Sequence, residues 1–549
     1  MHTPDTAPRP SIVYDYQVFP FRRPPELDGA RNERAIVVGA GPIGMLVALG
    51  LARFGVASII LEQDVQVTHG SRAAVLTRRS MEILRQNGLD GPFVAKGLPW
   101  RRGRSFFRGR EVYQMEIPHD PDSRFMPLTN VPQQYIEEYL VRAIERNPLI
   151  DLRWGSKVVD LTQDATRARL TVDTPSGPYA LEAPWVVAAD GGRSGLRKAL
   201  GLRMEGRSYA GNFVIADIKA DLPLPTERLC YFDPDWNRNN NVLVHRLADG
   251  VWRVDYRLPD DEQPEQALAP DLLARRIDLT LAMVGHPVPW TLDWATVYSA
   301  NTLTLPGYLH GRVAFAGDAA HLLPIFGVRG ANTGFQDADN LAWKLAFVIK
   351  GWAGRALLDS YSSERVEAAW EICEEAGKST RFMTPPSRGF RLMRDAALSF
   401  SLSEDFTKDL MHWRTSRPHV YATSPLNGGW ESALPDASGP ARGEPAPDVK
   451  LADDDHLLDH VGPGFTLLHF SSGDGPDIAV GALPMAPADL PLRLLTVRAR
   501  QALTKYGAVD GTTYLVRPDG HLAARWRRLE GRQIEATLGR MLTVSEAAS

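Results

Sequence analysis

The apolar positions of this chain fall into three patterns. Ala35-Ile-Val-Val38 and Ser58-Ile-Ile-Leu61 are short runs with almost no polar interruption. Such runs suit strands buried on both faces of a parallel sheet. Trp185-Val-Val-Ala188 and Val313-Ala-Phe-Ala316 repeat the pattern further on. Between the first two, Leu46, Val47, Leu49, Gly50 and Leu51 continue an apolar stretch of helical length that ends near Phe54 and Gly55. Met81, Leu84 and Leu89 predict an amphipathic helix ending near Gly88, and Val131-Pro-Gln133 opens another through Ile136, Glu137 and Leu140. Alternating apolar positions mark Asn212–Asp217, Asn241–Arg246 and Val251–Arg257 as strands with two unlike faces. Asp249-Gly250 between the last two reads as a hairpin turn.

Past residue 385 the pattern changes. Helices with Leu392, Leu398 and Leu402 come first, and residues 415–447, rich in Pro, Gly and Ser, read as a linker. Gly464–Phe470, Leu492–Val497 and Thr512–Val516 then read as strands, with Arg517-Pro-Asp-Gly520 a turn before His521–Trp526.

The first strand and helix enclose Gly39, Gly41 and Gly44 in G-x-G-x-x-G spacing, and Glu62 closes the second strand. The first glycine permits the tight turn, the second lets a pyrophosphate approach, and the third lets the helix pack on the strand. The helix start offers free N–H groups to phosphates, and Glu62 stands where an acid meets a ribose hydroxyl. Strand, helix and acid all agree on a dinucleotide site.

Length and charge narrow the rest. At 549 residues the chain has room for about three or four domains. The net charge of −4 gives no reason to expect nucleic acid or an anionic membrane as partner. Two cysteines, Cys230 and Cys373, form no C-x-x-C and fit a reducing cytoplasm. Residues 1–33 lack the apolar core of a signal peptide and read as an arm with Tyr14, Tyr16, Phe19 and Phe21 to dock it. No apolar run reaches membrane-spanning length, and no metal site is expected.

Further glycine–acid elements follow. Ala189-Asp190-Gly191 and Gly317-Asp318-Ala-Ala-His321 each end a buried run. Glycines from Gly327 to Gly334 lead into a long helix with Asp337, Leu341, Trp343 and Leu345. A helix start of that kind suits developing negative charge. Read singly, each Gly-Asp is a β-turn with an N-cap acid, and Arg72, downstream of Glu62, a solvated arginine.

Taken in order, the Gly39 fingerprint, Ala189-Asp190-Gly191, and Gly317–His321 followed by Gly330 and Asp337-Ala-Asp-Asn-Leu-Ala-Trp-Lys344 resemble a family. It is the single-component, FAD-dependent aromatic hydroxylases, which include the p-hydroxybenzoate, phenol and 3-(3-hydroxyphenyl)propionate hydroxylases. The resemblance covers residues 34–385. It implies an α/β fold with a Rossmann-like FAD-binding domain (34–90, 131–204 and 301–385) and an interleaved β-sheet substrate domain (91–130 and 205–300). A helical section and linker (386–440) would lead to a thioredoxin-like domain (441–549). Ser471 and Ser472 stand where a redox thioredoxin needs C-x-x-C, so that domain would be structural and serve a homodimer if one forms.

On this sequence the resemblance implies that Gly39, Gly41, Gly44 and Glu62 hold the ADP half of FAD. Arg72 and Gln133 would touch its phosphates or adenosine, Asp190 would serve FAD and NAD(P)H, and Asp318 would bind the ribityl chain. Gly330, Ala331 and Asn332 would present backbone to the pyrimidine edge, and Pro324 would line the space at the reacting carbon. Where the family often has Gly-Gly-Gln-Gly this chain reads Gly327-Val-Arg-Gly330, so Val328 and Arg329 would change the pocket wall, with Arg329 adding charge beside the flavin or meeting an acidic substrate. NADH or NADPH would reduce FAD, which with O2 would form a C4a-hydroperoxide that hydroxylates a small aromatic substrate. No second G-x-G-x-x-G is evident for NAD(P)H, in keeping with this class. The absence of Trp-x-Trp-x-Ile-Pro argues against a flavin halogenase. Tyr231, His245, Arg246 and Tyr256 are the polar candidates for substrate contacts on the alternating strands. A 3-(3-hydroxyphenyl)propionate-type acid is the first expectation. Baeyer–Villiger insertion or polyketide or antibiotic oxidation on the same fold is the rival, and FAD binding without turnover the third reading.

Overall fold

The computed structural model describes residues 1–259, 262–324, 327–407, 417–431, 439–481 and 490–542. Strand β1 (Ala35–Val38) runs through the glycine turn into helix α1 (Pro42–Arg53), which returns the chain to β2 (Ser58–Leu61). Helices α2 (Arg78–Gln86) and α3 (Gln133–Glu145) follow, then β3 (Ile150–Arg153) and β4 (Val186–Ala188). Next come β5 (Glu205–Ala220), β6 (Arg228–Phe232), β7 (Asn241–Arg246), β8 (Val251–Arg257), α4 (Pro270–Met283), β9 (Trp290–Thr304) and β10 (Val313–Phe315). Three long helices, α5 (Gly330–Ile349), α6 (Ala356–Met383) and α7 (Arg388–Phe400), precede β11 (Phe465–Phe470), β12 (Leu492–Val497), β13 (Thr513–Val516) and β14 (Leu522–Trp526).

The uninterrupted apolar runs form one sheet, in the order Leu309–His310, β10, β4, β1, β2, β3, parallel throughout except for its first pair. All four residues of β1 and of β2 are buried, because α1 and its neighbours cover the sheet. The alternating runs form an eight-stranded sheet: His321–Leu322, β9, β5, β8, β7, β6, Arg102–Phe107, Arg110–Glu116. Asp249 and Gly250, with φ 62° and 73°, make the turn from β7 to β8. Helix α4 packs on one face through Leu273, Ile277 and Leu281, against Val214, Ala216, Val244 and Val254. The opposite face turns to the first sheet's unit, where Arg253 of β8 donates to the carbonyl oxygens of Ser71 and Arg72.

At the C-terminal end, Ile478–Gly481, β12, β11, β13 and β14 form a mixed sheet. It is joined to α5 and α6 by buried charge. Glu364 of α6 accepts from Lys344 of α5 at 2.6 Å and from both Arg517 amino groups at 2.6 and 2.9 Å. Asp519 accepts from the Trp343 indole at 3.1 Å. The 417–431 stretch is no bare spacer: Tyr421 and Leu426 are buried, and the Tyr421 hydroxyl accepts from Arg365 at 2.9 Å. Residues 408–416 and 432–438 of the expected helical section and linker, and Ile325 and Phe326, lie outside the described residues. No helix among the described residues is long and apolar enough to cross a membrane.

Candidate functional site

The three glycines of the β1–α1 turn differ in what constrains them. Gly39 has φ +104°, and a Cβ there would stand 2.4 Å from the Ala189 carbonyl oxygen. A Cβ on Gly44 would stand 2.1 Å from the Gly39 carbonyl oxygen. The chain itself therefore requires both. Gly41 caps α1 at φ −70°, and a Cβ there would meet nothing within 4 Å. That open space faces the first turn of α1, where a pyrophosphate would sit on free N–H groups.

Glu62 lies across the turn. Its carboxylate accepts from the Ala40 N–H at 2.7 Å and the Asp64 N–H at 3.0 Å. Burial pushes its pKa up to about 7 against the pull of those two N–H groups. The ionised carboxylate is the better acceptor for ribose hydroxyls. FAD affinity of the apoprotein is therefore expected to strengthen between about pH 6 and 8, and Glu62→Gln to flatten the profile; fluorescence titration across that range checks both.

Arg72 is exposed to the cleft, and its charge acts on Asp318 and Tyr298 opposite. Asp318 sits in the turn Gly317–Ala319, open to the same space. Asp190 flanks Gly39; one carboxylate oxygen accepts from the Leu196 N–H at 3.1 Å, and the other is buried with no hydrogen-bond partner among the described residues. Gly330 opens α5, and a Cβ on it too would meet nothing within 4 Å. Glu62 and Asp190 flank the Gly39 turn and Arg72 acts on Asp318, while Gly41 and Gly330 each leave open space beside the backbone. These residues fit FAD along its length.

One expected ligand contact, the Gln133 side chain, is already spent on the protein. The Gln133 amide accepts from the Ala73 N–H at 3.0 Å and donates to Glu137 at 2.8 Å, so it shapes the loop carrying Arg72. The Asn332 side chain accepts from the Thr77 N–H and the Ser80 hydroxyl and donates to the Val75 and Val328 carbonyls. It clamps the loop before α5, leaving Ala331 and the Asn332 backbone for a ligand. Pro324 is buried just ahead of that loop.

Beneath the Gly317 turn lies a network that motif reading missed. Asp337 accepts from the Gly317 N–H at 3.0 Å, stands 2.6 Å from His321 Nε2, and accepts from Arg365 at 2.7 Å. Burial alone would raise the Asp337 carboxyl; His321 and Arg365 outweigh it and hold it at about 2. This anchor fixes the turn that presents Asp318. The signal was present in the acid of the Asp337–Lys344 run, on a helix face that also carries Thr333, Asn340 and Lys344, all buried.

On the substrate sheet, register sorts the candidates. Arg228, His245, Arg253 and Asp217 are cross-strand neighbours on the face turned to the cleft, and Asp255 lies beside them. Asp217 binds Arg253 at 2.7 and 2.8 Å. His245 is 2% exposed, and its Nε2 lies 3.6 Å from Asp255. Burial drops its pKa to about 4, with Asp255 pulling the other way. Tyr231 and Tyr256 are corrected: both lie on the α4 face, Tyr231 stacked on Phe106 and Tyr256 against Trp236 and Arg276. Arg246 shares that face, over Trp252. Arg329 is corrected as well. Its side chain lines a small cavity with Arg417 and His419, within reach of the Glu371 and Glu375 charges of α6. Val328 takes φ +61°, a strained setting for a β-branched residue, and packs with Val75, Trp100, Leu247 and Val251.

Known proteins resemble this chain in sequence and in fold. The FAD binding domain family matches residues 33–376. A 3-(3-hydroxy-phenyl)propionate/3-hydroxycinnamic acid hydroxylase of Burkholderia cenocepacia is 30% identical over 447 residues, 80% of this chain and 79% of the relative. A 6-methylpretetramide 4-monooxygenase of Streptomyces rimosus is 28% identical over 539 residues, 92% of each. The crystal structure of the flavin-dependent monooxygenase PieE with FAD and substrate superposes with TM-score 0.77 at 22% identity, covering 93% of this chain and all of that one. Enzymes of this kind turn over, which sets aside FAD binding without turnover. The chain belongs to the FAD binding domain family and, within it, to the FAD-dependent aromatic hydroxylases.

Proposed function

We propose that this enzyme uses NADH or NADPH and O2 to hydroxylate a phenolic or related aromatic compound. The observation that carries the reading is the divided character of the cleft-facing sheet. One part is apolar: Phe213, Cys230, Phe232 and Leu243 pack with Met383 and Leu398 from the ends of α6 and α7. Beside it stand His245, Asp255 and Arg228. When bound, FAD takes electrons from NAD(P)H and activates O2 for transfer of one oxygen atom to the ring. The apolar part holds a ring and keeps water away. His245, neutral at assay pH, accepts a hydrogen bond from a ring hydroxyl, and Arg228 meets an acidic side arm. That set suits a 3-(3-hydroxyphenyl)propionate-type acid.

A panel of phenols and aromatic acids, with NAD(P)H oxidation, peroxide release and product mass followed together, tests the reading. One compound should speed oxidation and gain one oxygen. Peroxide alone from every compound would sink the substrate class. His245→Phe should lower kcat/KM about tenfold with FAD affinity unchanged, as loss of one buried hydrogen bond does. A second reading, oxidation of a polyketide, is favoured by the match over 92% of both chains to a 6-methylpretetramide 4-monooxygenase. A fused-ring phenol as the only coupled substrate would select it, and an inserted ester oxygen would mark Baeyer–Villiger chemistry. The mixed order of the C-terminal sheet supports a thioredoxin-like unit without redox chemistry, with Ser471 and Ser472 after its first strand. The two free cysteines support a cytoplasmic setting. A homodimer is the assembly to test first, by light scattering.

A further inference from the structure

The matched family begins at residue 33, so the N-terminal arm lies ahead of it. The arm runs along the segment from Glu62 to Arg72 and also touches α3, where Tyr14 packs edge-on against Tyr135 at 5.1 Å. That segment joins the two ends of the ADP side of the cleft and contains no helix or strand. Each of its residues from 63 to 70 hydrogen-bonds the arm. His2 reaches the Gln63 carbonyl at 2.7 Å, and Arg9 binds Asp64 at 2.9 Å and the Val67 carbonyl. Phe19 N–H donates to Val65 at 2.8 Å, and Gln66 exchanges two bonds with Ala7 and Arg9. The His69 ring lies 3.0 Å from the Pro10 carbonyl. Tyr16 closes the run: its hydroxyl donates to the Thr68 carbonyl at 3.3 Å and accepts from the Gly70 N–H at 2.8 Å.

The arm does not stop at the loop. Ser11 and Ile12 donate to Asp293 of β9 at 2.6 and 2.7 Å. From the other side Trp294 of β9 lies so close that a Cβ on Gly70 would stand 2.1 Å from it. The loop is thus held between arm and substrate sheet. An irregular segment of this length, left to itself, samples many conformations and must be ordered when a ligand binds.

We propose that residues 1–19 act as a strap that holds the 62–72 loop ready for the ADP half of FAD, with Tyr16 as its positioning residue. Glu62 and Arg72 are presented together because the strap fixes the chain between them. The test uses the full-length apoprotein and two variants: Tyr16→Phe, which removes only the hydroxyl, and Arg9→Met, which removes the contacts to Asp64 and Val67. FAD dissociation constants come from flavin fluorescence well below the melting temperature, alongside apoprotein melting and amide exchange. Tyr16→Phe should weaken FAD about tenfold, the worth of one buried hydrogen bond. Amide exchange should quicken within residues 63–73 and not across β1, β4 and β10. Arg9→Met, which leaves Tyr16 in place, should act in the same direction and guards against a misfolded first variant. An unchanged FAD affinity in both, even with a lower melting temperature, overturns the proposal, since the arm would then stabilise the fold alone. Quickened exchange spread evenly over the flavin-binding unit overturns it too.

Discussion

Gly41→Leu is expected to give a protein that folds and stays colourless. At φ −70° and ψ 173° the backbone of Gly41 suits any residue, and a Cβ there touches nothing. A leucine side chain would fill the space at the first turn of α1 that only the cofactor needs. Two backbone N–H bonds to a charged phosphate would go, at about 1.5–3 kcal/mol each. The FAD dissociation constant should therefore rise about 10²- to 10⁴-fold. Apoprotein melting should stay near wild type. Gly44→Ala makes the contrast: its Cβ would stand 2.1 Å from the Gly39 carbonyl oxygen, so the apoprotein itself should melt early. Flavin fluorescence titration and apoprotein melting, run on both variants, separate ligand space from packing space. A Gly41→Leu protein that keeps its flavin would show that the cleft is not the site.

Arg517→Met should cost about 3–5 kcal/mol of stability, because removing one partner of a buried pair strands the other's charge. Arg517 is 1% exposed, bonded twice to Glu364 and, through Nε, to Asp519 at 3.0 Å. Burial alone would raise the Glu364 carboxyl, but Arg517 and Lys344 outweigh it and hold it well below the usual range. A carboxylate so held stabilises the fold above its unfolded value of about 4.3 and loses that contribution as pH falls. The variant's deficit, measured by thermal or denaturant unfolding, should therefore be full at neutral pH and shrink in acid. Adding Glu364→Gln should recover part of the loss, since the two sites share one interaction. A deficit that is flat with pH would mean that lost packing dominates.

What could be read in the sequence was local. The glycine turn, the acid closing β2 and the Asp249-Gly250 hairpin each depend on residues a few positions apart. The side-chain period of two showed that the strands of the substrate sheet have unlike faces. It did not show which face meets the flavin, because that depends on register and on α4 covering one side. Tyr256 and His245 therefore looked alike in sequence and lie on opposite faces. Arg329 stands beside the flavin loop in sequence, yet its nearest acidic charges, Glu371 and Glu375, come from α6. Lys344, Glu364, Arg517 and Asp519 are residue types that normally stay in water. Only their mutual pairing, across long separations, allows them inside. The alternating pattern did carry one unused signal. Asp217 and Arg253 are opposite charges in strands that pair side by side, and they prove to bind each other.

The bond between Glu364 and Arg517 spans 153 residues. During synthesis the whole flavin-binding half leaves the ribosome while that partner is still unmade. Until Arg517 arrives, Glu364 has Lys344 alone among its cationic partners, and the core behind α5 is open on one side. Domains usually fold as they emerge, from the N-terminus onward. Here the helix that begins at Gly330 is packed by a turn translated 153 residues after Glu364, so the flavin-binding half and the C-terminal sheet ripen together.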